Sequence, residues 1–110
     1  MDSDTDEMRV VLARNWGLTA ESPTAPTDRS ALLEALAGRV RHLLRRDFER
    51  LVTAMYSLDV NESQFREAVE GDETAAARRV AELILEREFA KMRSRKRYAS
   101  EDAGRRLPPL

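Results

Sequence analysis

His42 is the first place to look for chemistry, because it is the only histidine in a chain that has no cysteine. Imidazole is the side chain best suited to proton transfer near neutral pH, and the commonest metal ligand. It would need company: a nucleophile to activate, a carboxylate to orient it, or further ligands to close a tetrahedral zinc site. Its sequence neighbours Arg39, Arg41, Arg45 and Arg46 supply none of these, so His42 reads as a surface histidine. Glu82, Glu86 and Glu88 form the densest run of carboxylates. Glu82 and Glu86 stand one helical turn apart with Arg78, Arg79 and Arg87 close by, which is the spacing of a solvated salt-bridge face. A carboxylate-bundle metal centre would call for Glu-x-x-His on two helices, and the chain has a single histidine. There is no Gly-rich phosphate loop, no HExxH pair and no nucleophile elbow. The expectation is a protein that is not an enzyme, with no catalytic residue, metal or cofactor.

Three other groups of residues carry specific expectations. Asp47 lies on an apolar stripe, between Leu43 and Leu51, and Arg87 lies on another, after Val80 and Ile84. Two opposite charges on facing apolar seams are tolerated when they pair, so the reading is a structural ion pair that fixes helix register. The other reading of the two charges is a polar hole for a ligand. Val60, Asn61 and Phe65 form a corner: Asn61 as helix N-cap, Gln64 at the capping-box position, and Val60 with Phe65 at hydrophobic-staple spacing. Lys91, Arg93, Arg95, Lys96 and Arg97 put five bases in seven residues, with Tyr98 alongside. That segment, extended to residue 106, is where nucleic-acid phosphates would be contacted. Equally, it is what a charged helix end in water looks like.

The elements that must position these groups are helical. From residue 28 to 58, apolar residues recur mostly at steps of three or four: Leu32, Leu33, Leu36, Val40, Leu43, Leu44, Phe48, Leu51, Val52, Met55 and Leu58. That is the period of a helix and not of a strand, and no proline interrupts it. The pattern predicts one long helix over 28–58, started by Thr27 or Asp28. A short helix over about 61–70 follows, stopped by Gly71. A second long helix over about 72–95 is capped by Asp72 and carries Ala76, Ala77, Val80, Ala81, Ile84 and Leu85 on its apolar face. Residues 1–27 read as a flexible acidic arm and a linker containing Pro23 and Pro26, although Met8, Val11, Leu12 and Trp16 have helical spacing. Residues 98–110, with Gly104, Pro108 and Pro109, read as a disordered tail.

The expected architecture is therefore all-α: a helical domain over 28–97, built as a long hairpin with a corner helix. If the two long helices run antiparallel about a corner centred near residue 65 or 66, Asp47 faces position 84, within reach of Arg87. An Ala-rich partner leaves the Leu32–Leu44 stripe poorly covered, and a core of about 70 ordered residues is thin. Both points lead to a homodimeric four-helix bundle.

Composition bounds the rest. At 110 residues the chain is one domain at most. It is 42% hydrophobic and 35% charged, with six aromatics, so its core must be aliphatic. The first residues, MDSDTDEM, have no apolar stretch and do not form a signal peptide. No apolar run is long enough to span a membrane, and the expected compartment is the cytoplasm.

The run LLRRDFERLVTAMYSLDVNESQF together with AAARRVAELILERE resembles small uncharacterised bacterial helical proteins. Their pattern is an LLxxDFxxLVxxLYxxDVxE-like segment followed by an AxxIAxLIxxR-like helix. The likeness covers about residues 40–95 and rests on apolar spacing plus Asp47, Phe48, Tyr56, Asp59 and Arg87. It implies a helical fold and brings no activity, cofactor or site residue. The functional expectation is a non-catalytic, homodimeric module that binds an unidentified protein partner or regulates one. The alternative is a nucleic-acid-binding accessory protein using residues 91–106.

Overall fold

The structure, a computed structural model, describes residues 3–18 and 28–105, with side chains described over 4–18 and 28–97. The expected Thr27 cap, most of the Pro-containing linker and the last five residues of the chain lie outside the described residues. Those described form five α-helices and no strand: α1 (Ser3–Trp16), α2 (Arg29–Arg46), α3 (Phe48–Ser57), α4 (Glu62–Ala68) and α5 (Glu73–Arg105). The all-α expectation holds. Three of its details do not.

The first correction is at Asp47. The single helix expected over 28–58 is two helices, α2 and α3, which share Asp47 as a joint. Its backbone leaves the helical region (φ −155°, ψ 68°), its amide still closes α2 onto the Leu43 carbonyl at 2.9 Å, and its carboxylate accepts from the Arg50 amide at 3.2 Å. The residue ends one helix and caps the next. A short polar side chain offers the backbone amides an alternative to helical bonding, and Asp does so most effectively at an N-cap. Apolar periodicity continues unbroken across the joint, which is why the stripe alone reads as one rod.

The second concerns the N-terminal segment. In place of a flexible arm, residues 3–16 form α1, whose Met8, Leu12 and Trp16 are buried in the common core. A helix this short is marginal alone, and burial of its apolar face supplies the stability that propensity does not. Gly17, at φ 73°, ends it in the left-handed region that glycine adopts without steric cost. The third concerns α5, which continues as helix to Arg105 where a disordered tail was expected from residue 98.

The other boundaries follow side-chain chemistry. Asp28 accepts from the Ala31 amide at 2.7 Å, Asn61 from the Gln64 amide at 3.1 Å and Asp72 from the Ala75 amide at 3.2 Å, each at the start of its helix. Gly71, at φ 85°, separates α4 from α5. Asp59, at φ 60°, turns the chain between α3 and α4; Asp is among the few non-glycine residues that enter this region routinely.

The core lies between α2 and α5, with α1 against both. Leu32, Leu36, Val40 and Leu43 of α2 meet Ala77, Val80, Ala81, Ile84, Leu85, Phe89 and Met92 of α5, and α3 adds Leu51 and Met55. The alanines at the start of α5 lack the bulk to hold α2 away. Glu34 pairs with Arg78, and Arg41 and Arg45 both pair with Glu73, so α2 packs antiparallel on the first half of α5. The stripe thought to need a second copy is thus covered within one chain. At Leu32, Leu36 and Val40 no more than 1% of the surface is accessible.

Candidate functional site

The expected Asp47–Arg87 ion pair is not formed. Because the joint bends α3 away and α2 pairs with the first half of α5, Asp47 does not face position 84. It is exposed and spends its carboxylate on the α3 cap. Arg87 reaches instead to the end of α3, where its Nε donates to the Leu58 carbonyl at 3.0 Å. Arg79, two turns earlier on α5, does the same for α4: its Nε donates to the Ala68 carbonyl at 3.2 Å and its guanidinium also meets the Glu70 carbonyl. Carbonyls in the last turn of a helix have no intrahelical partner and carry the negative end of the dipole. Two arginines from α5 therefore close the C-termini of α3 and α4 and hold the corner in place.

That corner shapes an apolar groove. The Phe48 and Phe65 rings stack across it, with centroids 6.2 Å apart and planes 22° from parallel. Val52, Met55, Tyr56, Val60 and Val69 complete its apolar lining, with Glu62 and Arg66 also present, around about 240 Å³. Val60 and Phe65, expected as a staple, are both half-buried in this lining. Phe48 remains 46% exposed and Tyr56 69% exposed. Glu62 and Arg66 pair with each other at 3.1 Å. No periodicity argument finds this groove. Phe48 belongs to the helical stripe in sequence, yet beyond the joint at Asp47 it lies on the outside beside Tyr56.

The basic segment lies on the exposed surface of α5. Lys91, Arg93, Arg95 and Arg97 face solvent. Lys96 does not stand free: it meets Asp4 at 2.7 Å and Glu7 at 3.1 Å, both on α1. Hydrogen bonds to Asp4 and then Glu7 raise its pKa above the usual 10.5. His42 is exposed, as are Glu82 and Glu86, while Glu88 is 2% exposed. Its Oε2 accepts from Trp16 Nε1 at 3.0 Å and from Asn15 Nδ2 at 3.1 Å. These two donors are neutral and both come from α1, so the salt-bridge face expected at Glu82 and Glu86 does not extend to Glu88. Trp16 and Glu88 are 72 residues apart in sequence, and no local pattern announces the contact.

Among the described residues, no group of three or more His, Cys, Asp or Glu is placed to hold a metal ion. No helix among them is long and apolar enough to cross a membrane. A second cleft lies where α1, α2 and α3 meet. It holds about 150 Å³ and is lined by Arg14, Asn15, Trp16, Gly17, Arg39, Leu43, Arg50 and Ala54. No protein-family model, curated protein or solved structure matches the chain, and the functional reading rests on this geometry.

Proposed function

We propose that this protein is a non-catalytic interaction module of the cytoplasm that works as a homodimer, with the α3–α4 groove as its contact surface. The observation that carries the reading is the exposure of two aromatic rings, Phe48 at 46% and Tyr56 at 69%, beside an apolar hollow of about 240 Å³. Aromatic residues in such settings are the usual anchors of protein interfaces. A two-fold interface must be complementary to itself, and this surface has the elements for that. It offers a protruding ring and a hollow, with an acid and a base, Glu62 and Arg66, on the same lining. The Tyr56 ring of each copy would enter the groove of the other, with Glu62 across from Arg66. A further protein partner would then be engaged by the assembled dimer.

Light scattering across a concentration series tests this. The expected result is a wild type that passes from monomer to dimer with a midpoint at about 10 μM, and a shift to monomer in Tyr56→Asp. A wild-type protein that stays monomeric to about 100 μM overturns the dimer.

The second reading is nucleic-acid binding by residues 91–106. It is favoured by the exposure of Lys91, Arg93, Arg95 and Arg97, and weakened by the engagement of Lys96 with Asp4 and Glu7. Phosphate contacts release counterions, so such binding falls steeply with salt. The absence of binding to generic DNA and RNA at about 50 mM salt removes this reading.

A further inference from the structure

Three arginines from three helices line the cleft between α1, α2 and α3: Arg14, Arg39 and Arg50. No ion pair among the described residues engages any of them. By contrast, Arg41, Arg45 and Arg78, on α2 and α5, each meet a glutamate. Arg39 is the least solvated of the three in the cleft. Its Nε is buried and meets no hydrogen-bond acceptor among the described residues. Its guanidinium lies alongside Gly17, so close that a β-carbon at that position would stand 3.9 Å from it. A buried guanidinium N–H with no acceptor is costly to leave unmade. Two nearby carboxylates have other partners. Glu88 takes the Asn15 and Trp16 donors, and Asp47 accepts the Arg50 backbone amide.

We propose that this cleft binds a phosphate group, free or at the end of a small phosphate ester. Planar guanidinium forks match phosphate oxygens in geometry and supply charge-assisted bonds. Three monocations suit a dianion, whereas a single carboxylate would leave two of them uncompensated. The volume, about 150 Å³, lies below the roughly 300 Å³ at which pockets begin to take whole drug-sized ligands. It therefore fits one terminal group, with the remainder of an ester lying outside. Leu43 and Ala54 supply the apolar part of the lining. A bound phosphate would tie α1 to α2 and α3. The proposal does not depend on the dimer.

Trp16, the only tryptophan in the chain, lines the cleft and provides the readout. Its fluorescence would be followed while sodium phosphate, glycerol 3-phosphate or sodium acetate replaces sodium chloride at constant ionic strength, using the full chain. The expected result is a saturable change with phosphate and with the ester, and weaker binding of acetate. Arg39→Gln and Arg14→Gln would each weaken phosphate binding by about tenfold or more, the worth of one charge-assisted bond. Arg14 is exposed, so its variant folds even if the Arg39 variant does not. Tighter binding of the ester than of phosphate assigns the site to phosphate esters, and equal binding assigns it to the free anion. No saturable change up to about 10 mM, where even a millimolar site would fill, overturns the proposal. So does unaltered affinity in Arg14→Gln.

Discussion

Replacing Asp47 and Arg87, singly and together, separates two accounts of how this chain is built. If the two residues formed a buried ion pair, Asp47→Ala would strand a guanidinium in an apolar seam and cost about 3–5 kcal/mol. The structure assigns smaller and independent costs. Asp47 is an exposed N-cap with one bond, 3.2 Å to the Arg50 amide, so its removal costs about 1 kcal/mol. Arg87 makes one half-buried bond, 3.0 Å to the Leu58 carbonyl, and its loss also costs about 1 kcal/mol. For a domain of this size each change lowers Tm by roughly 4–8 °C. Because the two share no partner, the double variant should be additive to within about 0.5 kcal/mol. Thermal melts followed by far-UV circular dichroism on the four proteins provide the cycle. A coupling energy above about 1 kcal/mol, or an Asp47→Ala cost of about 3 kcal/mol or more, would refute the joint at Asp47 and restore the uninterrupted helix.

Other perturbations test other parts of the structure. At the corner, Asn61→Ala should cost about 1 kcal/mol through loss of the Gln64 cap. Phe65→Ala should cost about 2 kcal/mol, less than a fully buried Phe because the ring is half-exposed in the groove; equal and negligible effects in urea unfolding would mean the corner is misplaced. Lys96 should titrate above 10.5 in an NMR pH series and return toward that value in Asp4→Asn. Its raised pKa means that the α1–α5 contact contributes fully below pH 10.5 and is lost only as pH climbs through the raised value, so no loss from this lysine is expected near neutrality. Glu88→Ala leaves the buried Trp16 N–H without an acceptor and should cost about 3 kcal/mol, with faster hydrogen exchange along α1, whereas Glu88→Gln keeps an acceptor oxygen and should stay within about 1 kcal/mol. Unchanged exchange in Glu88→Ala would mean that α1 does not dock through this residue.

What the sequence made legible is what depends on near neighbours. Helix period, the caps at Asp28, Asn61 and Asp72 and the stop at Gly71 all follow from a few consecutive residues. The joint at Asp47 was in principle within reach, since aspartate is a favoured N-cap and Glu49 places an acid in the first turn that follows. It was masked because Leu44, Phe48, Leu51 and Met55 keep helical spacing across it, and apolar period is blind to a break that preserves phase. The register error followed from that break. A symmetric hairpin pairs residues equidistant from its corner, but α3 and α4 together consume enough chain that Arg41 and Arg45 meet Glu73 instead.

The docking of α1 lay beyond such reasoning for a different physical reason. Met8, Leu12 and Trp16 show that α1 has an apolar face, and apolar burial is non-directional: it gives the helix a reason to pack without saying where. Direction comes from Glu88, the one charged residue buried in the core among those described. Glu88 is 2% exposed, and a carboxylate so placed is tolerated only where donors meet it. Those donors are Asn15 and Trp16, adjacent at the end of α1, so the helix can satisfy Glu88 in a single rotation and a single axial position. Lys96, two turns further along α5, then meets Asp4 and Glu7 at the other end of α1. The polar contacts at the two ends fix the alignment that the apolar face leaves free. They also fix the arginine cleft, since Arg14, Asn15 and Trp16 reach Arg39 and Arg50 only when α1 lies in this register.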